Sequence, residues 1–234
     1  MTTPSKSKAS NVIDLFTGQS YQPKNYQKII RLSPEYDNLE MLYTNDANPN
    51  KLYSLKILCW ALQENGDVIG LVPWLNDITN CQDLNDPLRG RWVGYFDPGI
   101  DEIFYDAPKH KRVELEYAAD FYQFECESED DIIQEIPDNI GTHAVFTQDN
   151  FSTFVLDAVF SWRLHYDGSI SAMMIDQQKV VHTPVLPGDD CLYPAQTHAE
   201  FKYFFQYGIA NKIKSQDAKA IDTIHSLIDL DLLR

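Results

Sequence analysis

One stretch of this chain occurs twice, about a hundred positions apart, and that constrains the fold more than anything else in the sequence. The first copy runs through "CWALQENGDVIGL" and the second through "SWRLHYDGSISAM". The match extends backward, where Tyr43-Thr44-Asn45-Asp46 lines up with Phe146-Thr147-Gln148-Asp149. Asp46 lies 14 positions before Trp60, and Asp149 lies 13 positions before Trp162. A single one-residue gap therefore aligns about thirty residues, with Thr, Asp, Trp, Leu and Gly identical, which is the mark of an internal duplication. Two copies at long separation predict paired lobes. A solenoid would need three or more stacked units.

Each copy reads as strands. In the second, Phe154, Leu156, Ala158, Phe160, Trp162 and Leu164 alternate with mostly more polar neighbours, and a period of two means one buried face. Asp167-Gly168 interrupts the alternation, as Asn65-Gly66 does in the first copy, and both pairs tolerate the positive φ of a hairpin turn. The chain then returns along Ile170 to Ile175, or Val68 to Val72. Each copy is thus predicted to be a hairpin with a further strand around Tyr43 or Phe146. Trp60, Leu62, Phe160, Trp162 and Leu164 are the expected core.

Between the copies, "GRWVGYFDPGIDEIFYDAP" predicts a strand, a Pro-Gly turn and another strand. The segment from Val113 to Asn139 holds ten acidic residues and no basic one. Its apolar positions Val113, Leu115, Tyr117, Phe121 and Phe124 suit a strand or a helix equally. Glu125 to Asp131 reads as a solvated loop, with a short helix from Asp130. At the C-terminal end, Thr197-His198-Ala199-Glu200 has capping-box spacing. Phe201, Phe204, Phe205, Ile209 and Ile213 then form a helical stripe, and Ile221, Ile224, Leu227 and Ile228 form a second. A short helix from Asn25 to Leu32 is expected before Pro34. The predicted class is α+β: two related antiparallel β-hairpin units, an acidic connector and a C-terminal helical pair. The expected organisation is a flexible tail over 1–11, an N-terminal lobe with the connector over 12–139, and a C-terminal lobe over 140–234.

Charge bounds the partners. There are 35 acidic and 19 basic side chains, a net charge of −16, which repels nucleic-acid phosphates and anionic lipid headgroups. It attracts a basic protein surface. No apolar run approaches the ~20 residues needed to span a bilayer, and "MTTPSKSKAS" has no apolar stretch behind its lysines. Cys59, Cys81, Cys126 and Cys191 are widely spaced and form no Cys-x-x-Cys pair, so neither a disulfide framework nor a structural zinc site is expected. Reduced thiols in the cytoplasm follow, with no cofactor.

Three segments are candidates for chemistry. The loop "HTPVLPGDDCLYPAQTH" gathers His182, Asp189, Asp190, Cys191 and His198, a set that could ligate a metal or let a histidine activate the thiol. Adjacent carboxylates oppose a low-pKa thiol, however, and Gly188-Asp189 suits a turn, so a structural role outweighs the catalytic one. The repeated Thr-x-Asp, at Thr44/Asp46 and Thr147/Asp149, would pair two carboxylates if the lobes faced one cleft. A short Asp side chain fixing a turn is the simpler reading. The third is the acidic block, where Glu125, Glu127, Glu129, Asp130 and Asp131 are the expected partner-binding residues beside aromatics such as Tyr117 and Phe121.

No phosphate loop, nucleophile elbow or His-Glu-x-x-His helix occurs. The sequence therefore favours a non-enzymatic cytosolic protein-binding or regulatory module acting on a basic protein surface. The competing reading is a small hydrolase or metal-dependent enzyme centred on residues 182–198, and the third is a structural subunit that self-associates.

Overall fold

The computed structural model describes residues 12–13, 20–21, 27–46, 52–86, 90–121, 128, 131–148, 153–176 and 191–206. The first half contains β1 (Val12–Ile13) and β2 (Ser20–Tyr21), which pair with each other. It continues with β3 (Ile29–Pro34), β4 (Glu40–Thr44), β5 (Tyr53–Lys56), β6 (Cys59–Gln63), β7 (Val68–Trp74) and β8 (Asp77–Asn80). After a 3-10 turn at Cys81–Asp83 come β9 (Asn85–Asp86), β10 (Gly90–Asp97), β11 (Glu102–Phe104) and helix α1 (Lys109–Phe121). The second half contains β12 (Ile132–Pro137), β13 (Thr142–Gln148), β14 (Thr153–Ala158), β15 (Ser161–His165) and β16 (Ile170–Ile175). It ends with β17 (Leu192–Pro194), a 3-10 turn at Ala195–Thr197, and β18 (Phe201–Gln206).

The larger sheets have the orders β3-β6-β7-β8, β11-β10-β4-β5 with β9 on β10, β12-β15-β16-β17, and β14-β13-β18. These four small sheets are arranged like the blades of a four-bladed propeller. The duplication is thereby much longer than the sequence match. Strands β3 to β8, the 3-10 turn and β10 recur in the same order and pairing as β12 to β17, the second 3-10 turn and β18. Even the irregularities recur. β3 skips a residue between Ile29 and Arg31 against β6, and β12 does so between Ile132 and Gln134 against β15. β10 bulges at Val93 against β4, and β18 bulges at Lys202 against β13. The turn Asn139-Ile140-Gly141 joins β12 to β13, so the second structural repeat starts at Ile132.

A carboxylate, buried at Glu35 and half-buried at Asp138, marks the same place in each repeat. Glu35, following β3, accepts the Trp60 indole N–H at 2.6 Å and the backbone N–H groups of Asp37 and Leu39. Asp138, following β12, accepts the Trp162 indole N–H at 3.0 Å and those of Gly141 and Thr142 at 2.8 Å. In each case one acidic side chain fixes the turn into the next strand and satisfies a fully buried indole, which would otherwise lose its water partner uncompensated. An aromatic from the bulged strand then packs on each indole. Tyr95 lies 4.9 Å from Trp60 and Phe204 lies 5.3 Å from Trp162.

The expected α+β class is thus corrected to a mostly β architecture with one α-helix among the described residues. Residues 201–206 are strand β18 and not a helix, and Thr197 Oγ1 donates to the Pro194 carbonyl instead of capping. The cause is the bulge at Lys202. It reverses the side-chain parity, so Phe201 and Phe204 share a face with rings 4.9 Å apart, and an i, i+3 spacing that imitates a helix arises within a strand. The same device defeats the helix expected over Asn25 to Leu32. β3 bulges at Ile30, which brings Ile29 and Leu32 to one face of the core. Residues 132–137 are likewise strand, not a helix beginning near Asp130. The remainder of the expected C-terminal helical pair, including Ile209, Ile213 and Ile221 to Ile228, lies outside the described residues. The continuous alternation from Phe154 to Leu164 divides between β14 and β15, which belong to different sheets.

Two apolar clusters result. One is built within the first half from Met41, Trp60, Val72, Tyr95 and Leu115 of α1, among others. The other joins the halves, with Leu32, Cys59, Ala61 and Leu71 packed with Phe146, Trp162, Leu164 and Phe204. The central strands of the first sheet bury both faces, Trp60 and Leu62 to one cluster, Cys59 and Ala61 to the other. Two glutamines close the junction between halves by imitating a backbone partner. Gln134 accepts the Leu32 N–H at 2.8 Å and donates to the Leu32 carbonyl at 2.7 Å. Gln206 does the same for Lys56, at 3.3 Å for both bonds. Each satisfies backbone polar groups of its partner strand that would otherwise lack a hydrogen bond.

Candidate interaction surface

The residues singled out in the 182–198 loop divide. His182, Asp189 and Asp190 lie outside the described residues. Cys191 is buried, and its carbonyl accepts the Asp176 N–H at 2.8 Å. His198 is exposed at the end of the second 3-10 turn. Its Nδ1 accepts the Glu200 N–H at 3.3 Å, and its ring meets the Phe146 ring edge-on at 5.2 Å. Among the described residues no group of three or more His, Cys, Asp or Glu side chains is placed to hold a metal ion. Burial pushes the Cys59 and Cys81 thiols up from their ordinary range, so both are held as neutral core groups.

The Thr-x-Asp candidate is similarly divided. Asp46 is exposed and paired with Arg91 of the adjacent strand β10 at 3.0 Å, whereas Asp149 lies outside the described residues. Of the acidic block, Glu125, Glu127, Glu129 and Asp130 lie outside the described residues. Asp131 is described. Its carboxylate accepts the Ser128 N–H at 3.0 Å, and its carbonyl accepts the Tyr166 N–H at 2.8 Å.

The described feature that most resembles an interaction surface is the segment that links the two repeats. β11 and α1 lie between β10, the last strand of the first repeat, and β12, the first strand of the second. Helix α1 is assembled from local signals. Lys111 and Arg112 donate backbone N–H groups to the Pro108 carbonyl at 3.0 and 3.2 Å, and ion pairs link Lys111 with Glu114 and Arg112 with Glu116. Leu115 is buried and Ala119 half-buried against the first-half core. Lys111 is buried beneath the helix, where its Nζ donates to the Pro34 carbonyl at 3.0 Å and lies 3.4 Å from Ser33 Oγ. Ser33 Oγ in turn donates to Glu114 at 2.8 Å. Arg112 ties the other flank by donating to the Gly66 carbonyl at 2.9 Å. The helix is therefore clamped to β3 and to the β6–β7 turn by its basic residues.

Its outward face is unusual for a surface helix. Val113 and Tyr117, one turn apart, are each 65% exposed. Ten large hydrophobic side chains are exposed among the described residues, and five of them, Ile100, Ile103, Tyr105, Val113 and Tyr117, lie in the segment 98–121. A sixth, Tyr36, is 63% exposed and has its ring 5.9 Å from Lys111 Nζ. Scattered exposed apolar residues need no explanation, but their concentration in one segment does. The same segment carries six acidic and three basic residues, and two of its three cations, Lys111 and Arg112, are engaged in the clamp. The surface it offers is thus aromatic and acidic. The sequence signal that could have located the helix is the pair of salt-bridge spacings at 111/114 and 112/116 beside Ala118-Ala119. The exposure of Val113 and Tyr117 could not have been read from periodicity, because an apolar i, i+4 pair usually faces a core.

No described helix is long and apolar enough to cross a membrane. Compared with known proteins, the chain matches no family model, no curated protein and no solved structure.

Proposed function

We propose that this protein is a non-enzymatic cytosolic protein-binding or regulatory module that docks a basic surface of another protein. The observation that carries the reading is the concentration of exposed apolar side chains on the acidic segment that links the two repeats. The acidic residues Glu125, Glu127 and Glu129 follow this segment closely in the chain and add to its negative charge. A net charge of −16 adds long-range attraction for a cationic partner and accelerates encounter at low ionic strength. The scaffold supplies rigidity: the clamp by Lys111 and Arg112 holds the face in place before binding, which lowers the ordering cost of association.

The test is affinity capture from native cytosol with tagged full-length protein at low and high salt, read by mass spectrometry. The expected result is a defined basic protein whose binding is saturable. It should be lost at high salt and on the triple change Glu125→Gln, Glu127→Gln, Glu129→Gln. Absence of saturable protein binding at any salt would overturn the reading.

A further inference from the structure

Independently of the partner-binding reading, we infer that the edge strand β14 pairs with β14 of a second copy of this chain, antiparallel and centred on Leu156. An open strand edge offers a row of unpaired N–H and C=O groups, and proteins protect such edges. The other described edges are protected. Gln134 covers β3 at Leu32, and Gln206 covers β5 at Lys56. On β18 the Phe204 N–H donates to the Leu75 carbonyl at 2.7 Å. On β8 the Asp77 carboxylate accepts the Ile78 N–H at 2.7 Å. β12 and β17 each end in proline, and β1, β2, β9 and β11 are only two or three residues long. In contrast, β14 runs for six residues with no proline, no lysine and no bulge. Its counterpart in the first repeat is β5, since Tyr43 pairs with Tyr53 and Phe146 with Val155. Ala158 thus stands where β5 has the protected Lys56.

Register and charge select the occupant. The Val159 N–H donates to the Thr142 carbonyl at 2.9 Å, and inward and outward groups alternate along the strand from there. Asp157, Val155 and Thr153 therefore bond to β13, whereas Phe154, Leu156 and Ala158 turn their N–H and C=O groups outward. Leu156 is 38% exposed, and Ala158 is exposed as well. An antiparallel copy centred on Leu156 sets Leu156 against its own counterpart and Phe154 against Ala158 of the second copy. Every outward N–H then meets a carbonyl. A net charge of −16 makes two copies repel, so their contact must lie where charge is low. Asp157 is the one charged residue of β14. At this register it faces Val155 of the second copy, so no carboxylate lies opposite another. Asp157 also points to the face opposite Leu156, which leaves an incoming basic strand no carboxylate beside Leu156. The strand that fits is apolar and nearly uncharged, and β14 is itself such a strand. Pairing would join two three-stranded sheets into one continuous sheet.

The test is sedimentation velocity of the full-length protein over a wide concentration range. A monomer–dimer equilibrium is expected, and a monomer at every concentration would overturn the inference. The dimer should strengthen with salt, which screens the repulsion between copies, whereas docking of a basic protein weakens with salt. The two claims can therefore fail separately. Leu156→Lys sets like charges opposite each other, and Ala158→Lys copies the residue of β5. Each should weaken dimerisation about tenfold or more. Both positions are exposed, so the variants should keep the parent's circular dichroism. Cross-linking then fixes the register. Cys59, Cys81 and Cys191 are buried, so a Cys126→Ser background leaves no other cysteine to compete. In that background Leu156→Cys should oxidise to a disulfide-linked dimer, because paired Cα atoms lie about 5.5 Å apart. Ala158→Cys should not, since the two introduced thiols are then separated along the strands. Equal cross-linking at both positions, or a dimer unaffected by Leu156→Lys, would overturn the inference.

Discussion

The duplication supplies its own control experiment at two glycines. Gly66 and Gly168 occupy the same place in the β6–β7 and β15–β16 hairpins, with φ of +87° and +90°. Each turn closes identically: Gly66 N–H bonds the Gln63 carbonyl and Gly168 N–H bonds the His165 carbonyl, both at 2.9 Å. Alanine at either position meets the same left-handed backbone penalty, about 1 kcal/mol. The surroundings differ. A Cβ on Gly66 finds nothing within 4 Å. A Cβ on Gly168 lies 2.9 Å from Ile29 N and 3.0 Å from Lys28 Cγ, because this turn is seated on the start of β3. Backbone cannot retreat from such an approach without disturbing β3, and overpacking of this kind costs about 1–3 kcal/mol more. Gly66→Ala should therefore lose about 1 kcal/mol and Gly168→Ala about 3 kcal/mol. The difference of about 2 kcal/mol corresponds to a melting-temperature gap of about 4–8 °C for a chain of this size. Urea unfolding of the two variants, compared at unchanged m, measures it. Equal losses would refute the argument, since they would mean that the second hairpin does not rest on Lys28 and Ile29.

Other outcomes follow from the same geometry. Gln134→Ala leaves the Leu32 N–H and carbonyl without their partner and should cost about 2–4 kcal/mol, more than Gln206→Ala, whose bonds are longer at 3.3 Å; urea midpoints rank the two. A double-mutant cycle with Trp60→Phe and Glu35→Ala should give a coupling of about 1 kcal/mol or more, as expected of a buried hydrogen bond. At the second hairpin, burial raises the Asp167 carboxyl most of any single influence, but its hydrogen bonds to Ser169 and the charges of His165 and Lys28 together outweigh it and hold the group below its ordinary range. Its contribution is thus present above the unfolded pKa and lost as pH falls through the lower folded value. Asp167→Ala should cost about 0.5 kcal/mol at neutral pH after allowance for solvent screening, and the difference should vanish in acid, as followed by melting temperature against pH.

Much of the architecture was legible because duplication preserves pattern. The Trp-x-Leu strands, the Asn65-Gly66 and Asp167-Gly168 turns and the strands around Tyr43 and Phe146 stand where alternation and turn chemistry put them. Trp60, Leu62, Trp162 and Leu164 are buried, while Phe160 is only half-buried, since it sits in the crossing between two sheets. The helices expected at both ends of the described chain were misread for one reason. A β-bulge at Ile30 and another at Lys202 convert period two into a spacing of three, and a short apolar run then resembles a helical face. The full extent of the repeat was hidden because side chains diverged where roles diverged. Leu32, Cys59 and Ala61 pack into the shared core, whereas their counterparts Glu135, Ser161 and Arg163 form a polar network, with Ser161 Oγ donating to Glu135 at 2.5 Å and Arg163 Nε at 2.9 Å. The acidic connector was evident from composition, but the exposed ridge on α1 depends on which face the buried Lys111 turns inward, and sequence gives no sign that a lysine is the anchored side.

Site-directed photo-crosslinking in cells tests the central claim most directly. A benzophenone amino acid is placed at Tyr117 on α1 and, as a control, at Leu156, which is exposed on the edge strand β14. If the segment linking the repeats is the docking surface for a basic protein, Tyr117 yields one discrete adduct with such a protein, absent from the Leu156 sample and suppressed by high salt before irradiation. Adducts that are the same from both positions, or none from Tyr117, would contradict it.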